Sequence, residues 1–287
     1  MTREYTATAV SPEAYELGEG PVWDPENERV YWVDIPAGTV YAGRLDPFTV
    51  TDIWEFGSTV GAVAVAAGGD LLVAERETLT HVDPAGRRTE LARVLPAGGG
   101  SRLNDGAVDP AGRFLIGSMA LDGRRGQDRL VRLDRDGLTT LDTDLTLSNG
   151  LAWTPDGSRM YSVDSVPGEI RVRDYPDGER HDLFPVRDGL PDGLCADADG
   201  NLWLAVWGRG RIECRSPAGE LLATVAVAAP HITSCAFAGP GRDVLVITTA
   251  TADLSADDLA AHPDSGRIFT AQVEATGAPT PYWNPVL

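Results

Sequence analysis

The stretch Gly20-Pro-Val-Trp-Asp-Pro-Glu-Asn-Glu-Arg-Val-Tyr-Trp-Val-Asp34 decides the fold, because the same pattern returns five more times along the chain. Each copy has a small residue, an alternating apolar run, a turn and a second apolar run. The copies begin at Gly20, Gly61, Gly106, Gly150, Gly193 and Ser234. Their starts lie 41 to 45 residues apart, and a fixed period of this length indicates a repeat architecture whose units each open as a β-hairpin.

Further apolar runs follow the hairpins and complete the repeat. A third strand is indicated at residues 38–45 and 168–173, and a weaker fourth strand fits residues 221–227. Four antiparallel strands in each repeat predict an all-β fold, a six-bladed β-propeller, and we assign residues 1–287 to this single domain. The N-terminal run 4–10 is expected to add an outer strand to the last blade, near residues 266–273, and so to close the ring. One short helix is predicted after its N-cap, Ser255.

The composition excludes several classes of function. The 287 residues include 43 acidic and 24 basic residues, which gives a net charge of −19, and every basic residue is arginine. Because lysine is absent, Schiff-base aldolase chemistry, pyridoxal-phosphate anchoring and P-loop nucleotide binding are excluded. The negative charge argues against nucleic acids and anionic membranes as partners.

Three further features concern the compartment. No apolar run approaches the length of a membrane span, and the N-terminus lacks the apolar stretch of a signal peptide. The three cysteines, Cys195, Cys214 and Cys235, are odd in number and have no metal-ligand spacing. We therefore expect a cytoplasmic protein in a reducing compartment.

Polar residues recur at one position of the repeat, immediately before its start. In a propeller the first strand of each blade lines the central channel, so these positions form a ring at one mouth. In register they are Glu19, Val60, Asp105, Asn149, Asp192 and Thr233. Carboxylates so close repel one another unless a cation compensates, and carboxylate and amide oxygens suit Ca²⁺, Mg²⁺ or Mn²⁺. The alternative is that these residues cap strand ends and bond to the neighbouring blade.

Five short motifs resemble those of the regucalcin/senescence-marker-protein and gluconolactonase family. They are Gly-Glu-Gly-Pro-Val-Trp at 18–23, Arg-Leu-Asn-Asp-Gly at 102–106, Ser-Asn-Gly-Leu at 148–151, Pro-Asp-Gly-Leu at 191–194 and Thr-Ser-Cys at 233–235. They occur in order, at blade spacing, over nearly the whole chain. The resemblance implies a six-bladed propeller that hydrolyses sugar lactones, with calcium handling or other lactone substrates in some members.

The resemblance also implies roles for particular residues. One divalent metal ion would be held by Glu19, Asn149 and Asp192. Substrate contacts would come from Arg102, Asn104 and Asp122, where family members often have the longer glutamate in place of Asp122. We expect Ca²⁺ ahead of Mg²⁺, Mn²⁺, Zn²⁺ or Fe²⁺ as the cofactor. The expected partner is a small-molecule sugar lactone, and the chain is expected to be a monomer or a weak homo-oligomer.

The chemistry of a lactonase can be assigned to these residues. A divalent ion lowers the pKa of water and polarises a carbonyl, and Asp192 is the candidate general base. Arg102 can stabilise the oxyanion or bind sugar hydroxyls. The leading hypothesis is a metal-dependent hydrolase that opens an aldonolactone to the aldonic acid. Two alternatives stay open: a related propeller hydrolase acting on a non-sugar lactone or ester, and a calcium- or ligand-binding propeller without turnover.

Overall fold

Six separate β-sheets surround a central channel in the computed structural model, which describes residues 2–286. Two short N-terminal strands come first, β1 (Arg3–Thr6) and β2 (Thr8–Ala9). Blade 1 contains β3 (Gly18–Asp24), β4 (Arg29–Asp34), β5 (Thr39–Leu45) and β6 (Phe48–Glu55). Blade 2 contains β7 (Val60–Val65), β8 (Leu71–Glu75), β9 (Thr78–Val82) and β10 (Arg88–Arg93). Blade 3 contains β11 (Ser101–Val108), β12 (Phe114–Ala120), β13 (Asp128–Asp134) and β14 (Gly137–Leu145).

The second half of the chain repeats this arrangement. Blade 4 contains β15 (Ser148–Trp153), β16 (Arg159–Asp164), β17 (Glu169–Asp174) and β18 (Arg180–Pro185). Blade 5 contains β19 (Leu190–Ala196), β20 (Leu202–Trp207), β21 (Arg211–Arg215) and β22 (Leu221–Ala226). Blade 6 contains β23 (Ile232–Ala238), β24 (Val244–Thr249) and β25 (Phe269–Gln272). The predicted six-bladed, all-β propeller with four antiparallel strands per blade is confirmed.

The N-terminal segment closes the ring, and it divides its pairing between two blades. β2 pairs with β25 and supplies the outer strand of blade 6, with Thr8 opposite Thr270. β1 instead pairs in parallel with β22 and makes blade 5 five-stranded. Between them the buried Ala7 donates its N–H to the carbonyl of Ala226, which turns the chain from one blade to the next. The predicted pairing of the N-terminal residues 4–10 with the last blade, near residues 266–273, is therefore confirmed for β2. β1, which holds most of these residues, pairs with blade 5 instead.

Apolar side chains pack between neighbouring blades. Among the described residues, each of the six junctions between neighbouring blades has its own hydrophobic cluster. At the junction of the last and first blades, Trp23 and Trp32 pack with Val246. The blades also approach closely near the channel, because a Cβ on Gly150 would lie 2.6 Å from the carbonyl oxygen of Asp192 in the next blade. Any larger residue at position 150 would push these two blades apart.

The predicted helix is α1 (Ala256–Ala261), which lies between β24 and β25. Its N-cap Ser255 accepts a hydrogen bond from the backbone N–H of Asp258, and the Asp258 carboxylate bonds back to Ser255. This reciprocal capping box satisfies two of the N–H groups that a helix start leaves free. Within residues 2–286 no helix is long and apolar enough to cross a membrane.

Candidate metal-binding and catalytic site

Every innermost strand has an irregularity in its pairing at the same level of the channel. The register of β3 against β4 shifts between Glu19 and Val22, and that of β15 against β16 shifts between Asn149 and Leu151. The remaining inner strands, β7, β11, β19 and β23, shift at the corresponding place. A bulge bends a strand and re-aims its side chains. The small residue that starts each repeat therefore marks the point where the innermost strands depart from regular pairing.

Three buried carboxylates act on one another at this level. Glu19, Asp105 and Asp192 are only 5%, 9% and 7% exposed. Burial, and secondly the charge of Asp105, raises the pKa of Glu19 to about 8. Burial raises the pKa of Asp105 to about 6. Burial and then the charge of Glu19 hold the pKa of Asp192 well above its usual range. All three shifts have the direction expected of carboxylates that lack a sufficient counter-charge.

Arg102 is the cation that acts on two of these carboxylates. Its guanidinium is buried, and this burial lowers its pKa to about 10, while the charges of Glu19 and Asp192 act in the opposite direction. It remains charged at neutral pH. Three carboxylates and one guanidinium would carry two net negative charges if all were ionised, and one divalent cation would balance them.

A chain of hydrogen bonds connects Arg102 to the amide of Asn149. Arg102 Nη1 donates to Asn104 Oδ1 at 2.7 Å. Asn104 Nδ2 in turn donates to Asn149 Oδ1 at 3.0 Å and to the carbonyl of Ser148 at 2.9 Å. Asn149 Nδ2 donates to Ser165 Oγ at 2.8 Å. Both amides are thereby oriented, with the oxygen of Asn149 on the side of Asn104 and its nitrogen toward Ser165.

The donor set fits a hard divalent cation. Asp192 Oδ1 is buried and has no hydrogen-bond partner among the described residues. Burying an unpaired carboxylate oxygen costs free energy unless an ion or a water molecule binds it. Within residues 2–286 no group of three or more His, Cys, Asp or Glu side chains is arranged to hold a metal. The three buried carboxylates therefore do not form such a group by themselves, and the predicted set of Glu19, Asn149 and Asp192 contains two carboxylates and one amide.

Asp122 lies apart from the carboxylates, in the exposed loop after β12. Its side chain is 58% exposed and pairs with Arg124, with Asp122 Oδ2 2.7 Å from Arg124 Nη1. The backbone N–H and then the guanidinium of Arg124 lower the pKa of the Asp122 carboxyl. Arg124 Nη2 also donates to Ser101 Oγ, in the residue that precedes Arg102. Asp122 is therefore linked to the strand of Arg102 through Arg124.

Sequence reasoning missed the groups that support these side chains. Ser101 and Ser118 both donate to Oδ1 of the buried Asp128, and so join β11, β12 and β13. Arg124 had a signal in the sequence, since it stands two residues after Asp122. Ser165 had none, because its partner Asn149 is 16 residues away and the contact depends on the β15–β16 pairing.

A chamber of about 410 Å³ lies in the channel below the carboxylates. Asp105 and Ser234 line its upper part and the apolar Trp23, Leu194 and Phe237 line its wall. Its floor is the C-terminal strap, which we define as residues 277–284. The strap bonds to several blades in turn, with hydrogen bonds from Ala278 N to Ala196 O, from Trp283 N to Val65 O and from Asn284 N to Gly112 O.

Comparison with known proteins places these features in a wider group. The family model described as the SMP-30/Gluconolactonase/LRE-like region matches residues 17–251. The pentonolactonase XacC of Haloferax volcanii is 36% identical, over 96% of this chain and 97% of its own length. The L-arabinolactonase of Azospirillum brasilense is 34% identical, over 96% of this chain and 94% of its own. The crystal structure of a calcium-binding protein, regucalcin, from Agrobacterium tumefaciens superposes with a TM-score of 0.93 and 26% identity, over 99% of both chains.

Proposed function

The chain belongs to the SMP-30/gluconolactonase/LRE-like family, and from this premise we propose that it hydrolyses a sugar lactone to the corresponding aldonic acid. Two of its relatives are named as lactonases of five-carbon sugars or their acids, and each aligns over at least 94% of its own length. The observation that carries the proposal is the buried carboxylate of Asp192, with one unpartnered oxygen, close to Glu19 and Arg102.

The proposed cofactor is one divalent metal ion, held by Glu19, Asn149 and Asp192. The excess of buried negative charge and the orphan Oδ1 of Asp192 support this assignment. When bound, such an ion would polarise the lactone carbonyl and lower the pKa of a water molecule. We propose Ca²⁺ first, since oxygen ligands suit it and the Agrobacterium structure is described as a calcium-binding protein.

Asp192 is proposed as the general base. A water molecule adds to the carbonyl carbon while Asp192 accepts its proton, and the ring C–O bond then breaks. The ring oxygen leaves as a hydroxyl after taking up a proton, so the net change is one water added and one carboxylic acid formed. Burial and the charge of Glu19 raise the pKa of Asp192 in the metal-free chain. A bound cation would favour its ionised form, and the ionised carboxylate is the form that can accept the proton of the water.

Arg102, Asn104 and Asp122 are proposed as the substrate-binding residues. The buried guanidinium of Arg102 places a permanent charge beside Asp192, where it would stabilise the developing oxyanion or bind hydroxyls. The amide of Asn104 also bonds to Arg102 and Asn149, so we propose that Asn104 orients these two side chains in addition to contacting the substrate. Asp122, in the exposed loop after β12, would bind a sugar hydroxyl in place of the Arg124 guanidinium with which it now pairs.

A binding propeller without turnover is the second candidate. The description of the Agrobacterium regucalcin as a calcium-binding protein favours it, and the same donor set would serve both roles. Because lactone hydrolysis releases an acid, a measurement of acid release separates the two.

The test is to strip the protein of metal and follow acid release with a pH indicator. Glucono-, galactono-, xylono- and arabinonolactone are each assayed with Ca²⁺, Mg²⁺, Mn²⁺, Zn²⁺ or Fe²⁺ restored, and spontaneous hydrolysis is subtracted. We expect metal-dependent turnover of at least one lactone. Binding of metal without turnover on any lactone would favour the second candidate, and turnover in the presence of a chelator would contradict the metal-dependent mechanism.

If Arg102 binds sugar hydroxyls, its replacement by alanine raises KM by about 10-fold or more and changes kcat less, whereas a matching fall in kcat would assign Arg102 to the oxyanion. One charge-assisted hydrogen bond to substrate accounts for about this factor. Steady-state kinetics on the preferred lactone check it, with Arg44→Ala as the matched control, because Arg44 is an exposed arginine of blade 1. An unchanged KM would remove Arg102 from the substrate-binding set.

Replacement of Asp122 by asparagine is expected to raise KM for the sugar lactone by about 3- to 10-fold. A simple γ-lactone without ring hydroxyls should show no change, because the proposed contact is to a hydroxyl. The matched control is Arg125→Ala in the same exposed loop. An equal effect on both lactones would indicate that Asp122 acts only by holding the loop through Arg124.

A further inference from the structure

Two cysteine side chains meet where blades 5 and 6 adjoin the central chamber. Cys195 lies on β19 and Cys235 on β23, the innermost strands of neighbouring blades, and their Sγ atoms are 3.7 Å apart. Both residues line the chamber below the carboxylates. Neither has a part in the proposed hydrolysis.

The innermost strands of blades 5 and 6 approach each other closely next to these residues. A Cβ on Gly193 would lie 2.5 Å from the Cα of Ser234, so the two backbones nearly touch two residues before Cys195 and one residue before Cys235. Disulfides require Cα atoms about 4.4–6.8 Å apart and an S–S bond of about 2.05 Å. Closing the remaining gap between the sulfurs therefore requires a movement of less than about 2 Å, which a χ1 rotation of either side chain can supply.

We infer that Cys195 and Cys235 form a dithiol site that a peroxide oxidises to a disulfide across the junction of blades 5 and 6. The reactant is a small peroxide that can enter the chamber. Peroxide first oxidises the half-buried Cys195 to its sulfenic acid, with cleavage of the O–O bond and loss of one water. Cys235 then attacks that sulfur, the S–S bond forms and a second water leaves. Overall, two thiols and one hydrogen peroxide give one disulfide and two waters.

The surroundings of the two thiols slow their first reaction with peroxide. The contact with Cys235, and then burial, hold the pKa of the Cys195 thiol well above its usual range, so little thiolate is present. Cys235 donates to the carbonyl of Trp203 at 3.4 Å. The first oxidation is therefore slow, whereas the second is fast because the partner sulfur is already in contact.

The position of the bridge gives it a structural consequence. β1 and β2 join blades 5 and 6 at their outer edges, and the disulfide would join the same two blades at the channel. Asp192 stands three residues before Cys195 on β19. The bridge would thus hold the strand of Asp192 to blade 6 and restrict the unfolded chain.

Peptide mapping tests this inference on the metal-bound wild-type protein. The protein is treated with hydrogen peroxide, quenched with catalase, alkylated under denaturing conditions and digested with trypsin. Because the chain has no lysine, cleavage follows arginine and the three cysteines fall in separate peptides, 188–209, 212–215 and 216–242. We expect peptides 188–209 and 216–242 to be linked with the loss of two hydrogen atoms, and Cys214 to be alkylated. Full alkylation of Cys195 and Cys235, a link to Cys214, or sulfinic acid on Cys195 alone would overturn the inference.

Thermal unfolding provides an independent measurement. Oxidation should raise Tm by on the order of 5 °C, and dithiothreitol should reverse the change. Cys214→Ser is the matched control, because it removes a buried thiol of the same cluster and should leave the shift intact. Cys235→Ala should abolish the shift, and a persistent shift in this variant would contradict the bridge.

Discussion

Replacement of Asp192 by asparagine is expected to lower kcat for lactone hydrolysis by about 10³-fold or more, at any metal concentration. The asparagine retains an oxygen that can bind the ion, but it cannot accept the proton of the attacking water. General-base catalysis contributes about 10²–10⁴-fold, and loss of ligand charge adds to the effect. Acid release under saturating substrate, repeated at rising concentrations of metal, measures the change.

Two matched variants separate the roles of base and ligand. Glu19→Gln removes one charge from the proposed ligand set but leaves the base, so high metal concentrations should restore much of its activity. Asp105→Asn removes a carboxylate that is just as buried but has no assigned role in proton transfer, and it should retain most of its kcat. If metal restored Asp192→Asn as fully as Glu19→Gln, Asp192 would be a ligand only.

Metal removal is expected to abolish turnover and to lower Tm by more at pH 8 than at pH 5. The pKa of Glu19 is raised to about 8 and that of Asp105 to about 6. Between their unfolded and folded pKa values the folded metal-free protein binds more protons than the unfolded chain. The contribution of these two carboxyl groups to stability is therefore fully present below their unfolded pKa values and is lost as the pH rises through their folded values of about 6 and about 8. A bound cation competes with these protons, so its stabilisation grows with pH.

Thermal unfolding from pH 5 to pH 8.5, with excess metal or with a chelator, checks this expectation. The rest of this acidic chain also titrates, so the useful quantity is the difference between wild-type and Glu19→Gln. That difference should increase with pH in the chelated samples and shrink when metal is restored. A difference between the two metal-free proteins that does not grow from pH 5 to pH 8, or a metal effect equal at both ends, would contradict the assigned charges.

The blades could be predicted because each repeat encodes its own local structure. Alternating apolar residues and a turn specify a hairpin without reference to the rest of the chain, and six copies at one spacing specify the ring. The division of the N-terminal run could not be predicted, since residues 4–10 alternate without a break and only the burial of Ala7 shows where the chain changes blades. The C-terminal strap has no periodic pattern and is held by single backbone hydrogen bonds, such as that from Trp283 to Val65.

The candidate site, too, could be predicted only in part. Alignment of the repeats brought Glu19, Asp105 and Asp192 to one level of the channel, because equivalent positions of a propeller share a height. Their roles in metal binding and catalysis stay predictions. The ion pair of Asp122 with Arg124 depends on the conformation of an exposed loop, and the bond from Asn104 to Asn149 crosses from one blade to the next. Neither contact is indicated by a repeating pattern in the sequence.

The most direct test of a catalytic metal is a stoichiometric titration of the metal-free protein with Ca²⁺ or Mn²⁺ while acid release is followed on the preferred lactone. We predict that activity rises in proportion to added metal and reaches its plateau at about one equivalent per chain. Glu19→Gln should need a large excess of metal to reach a plateau. Full activity in the chelated wild-type protein, or a Glu19→Gln titration that matches the wild type, would contradict a catalytic metal held by Glu19, Asn149 and Asp192.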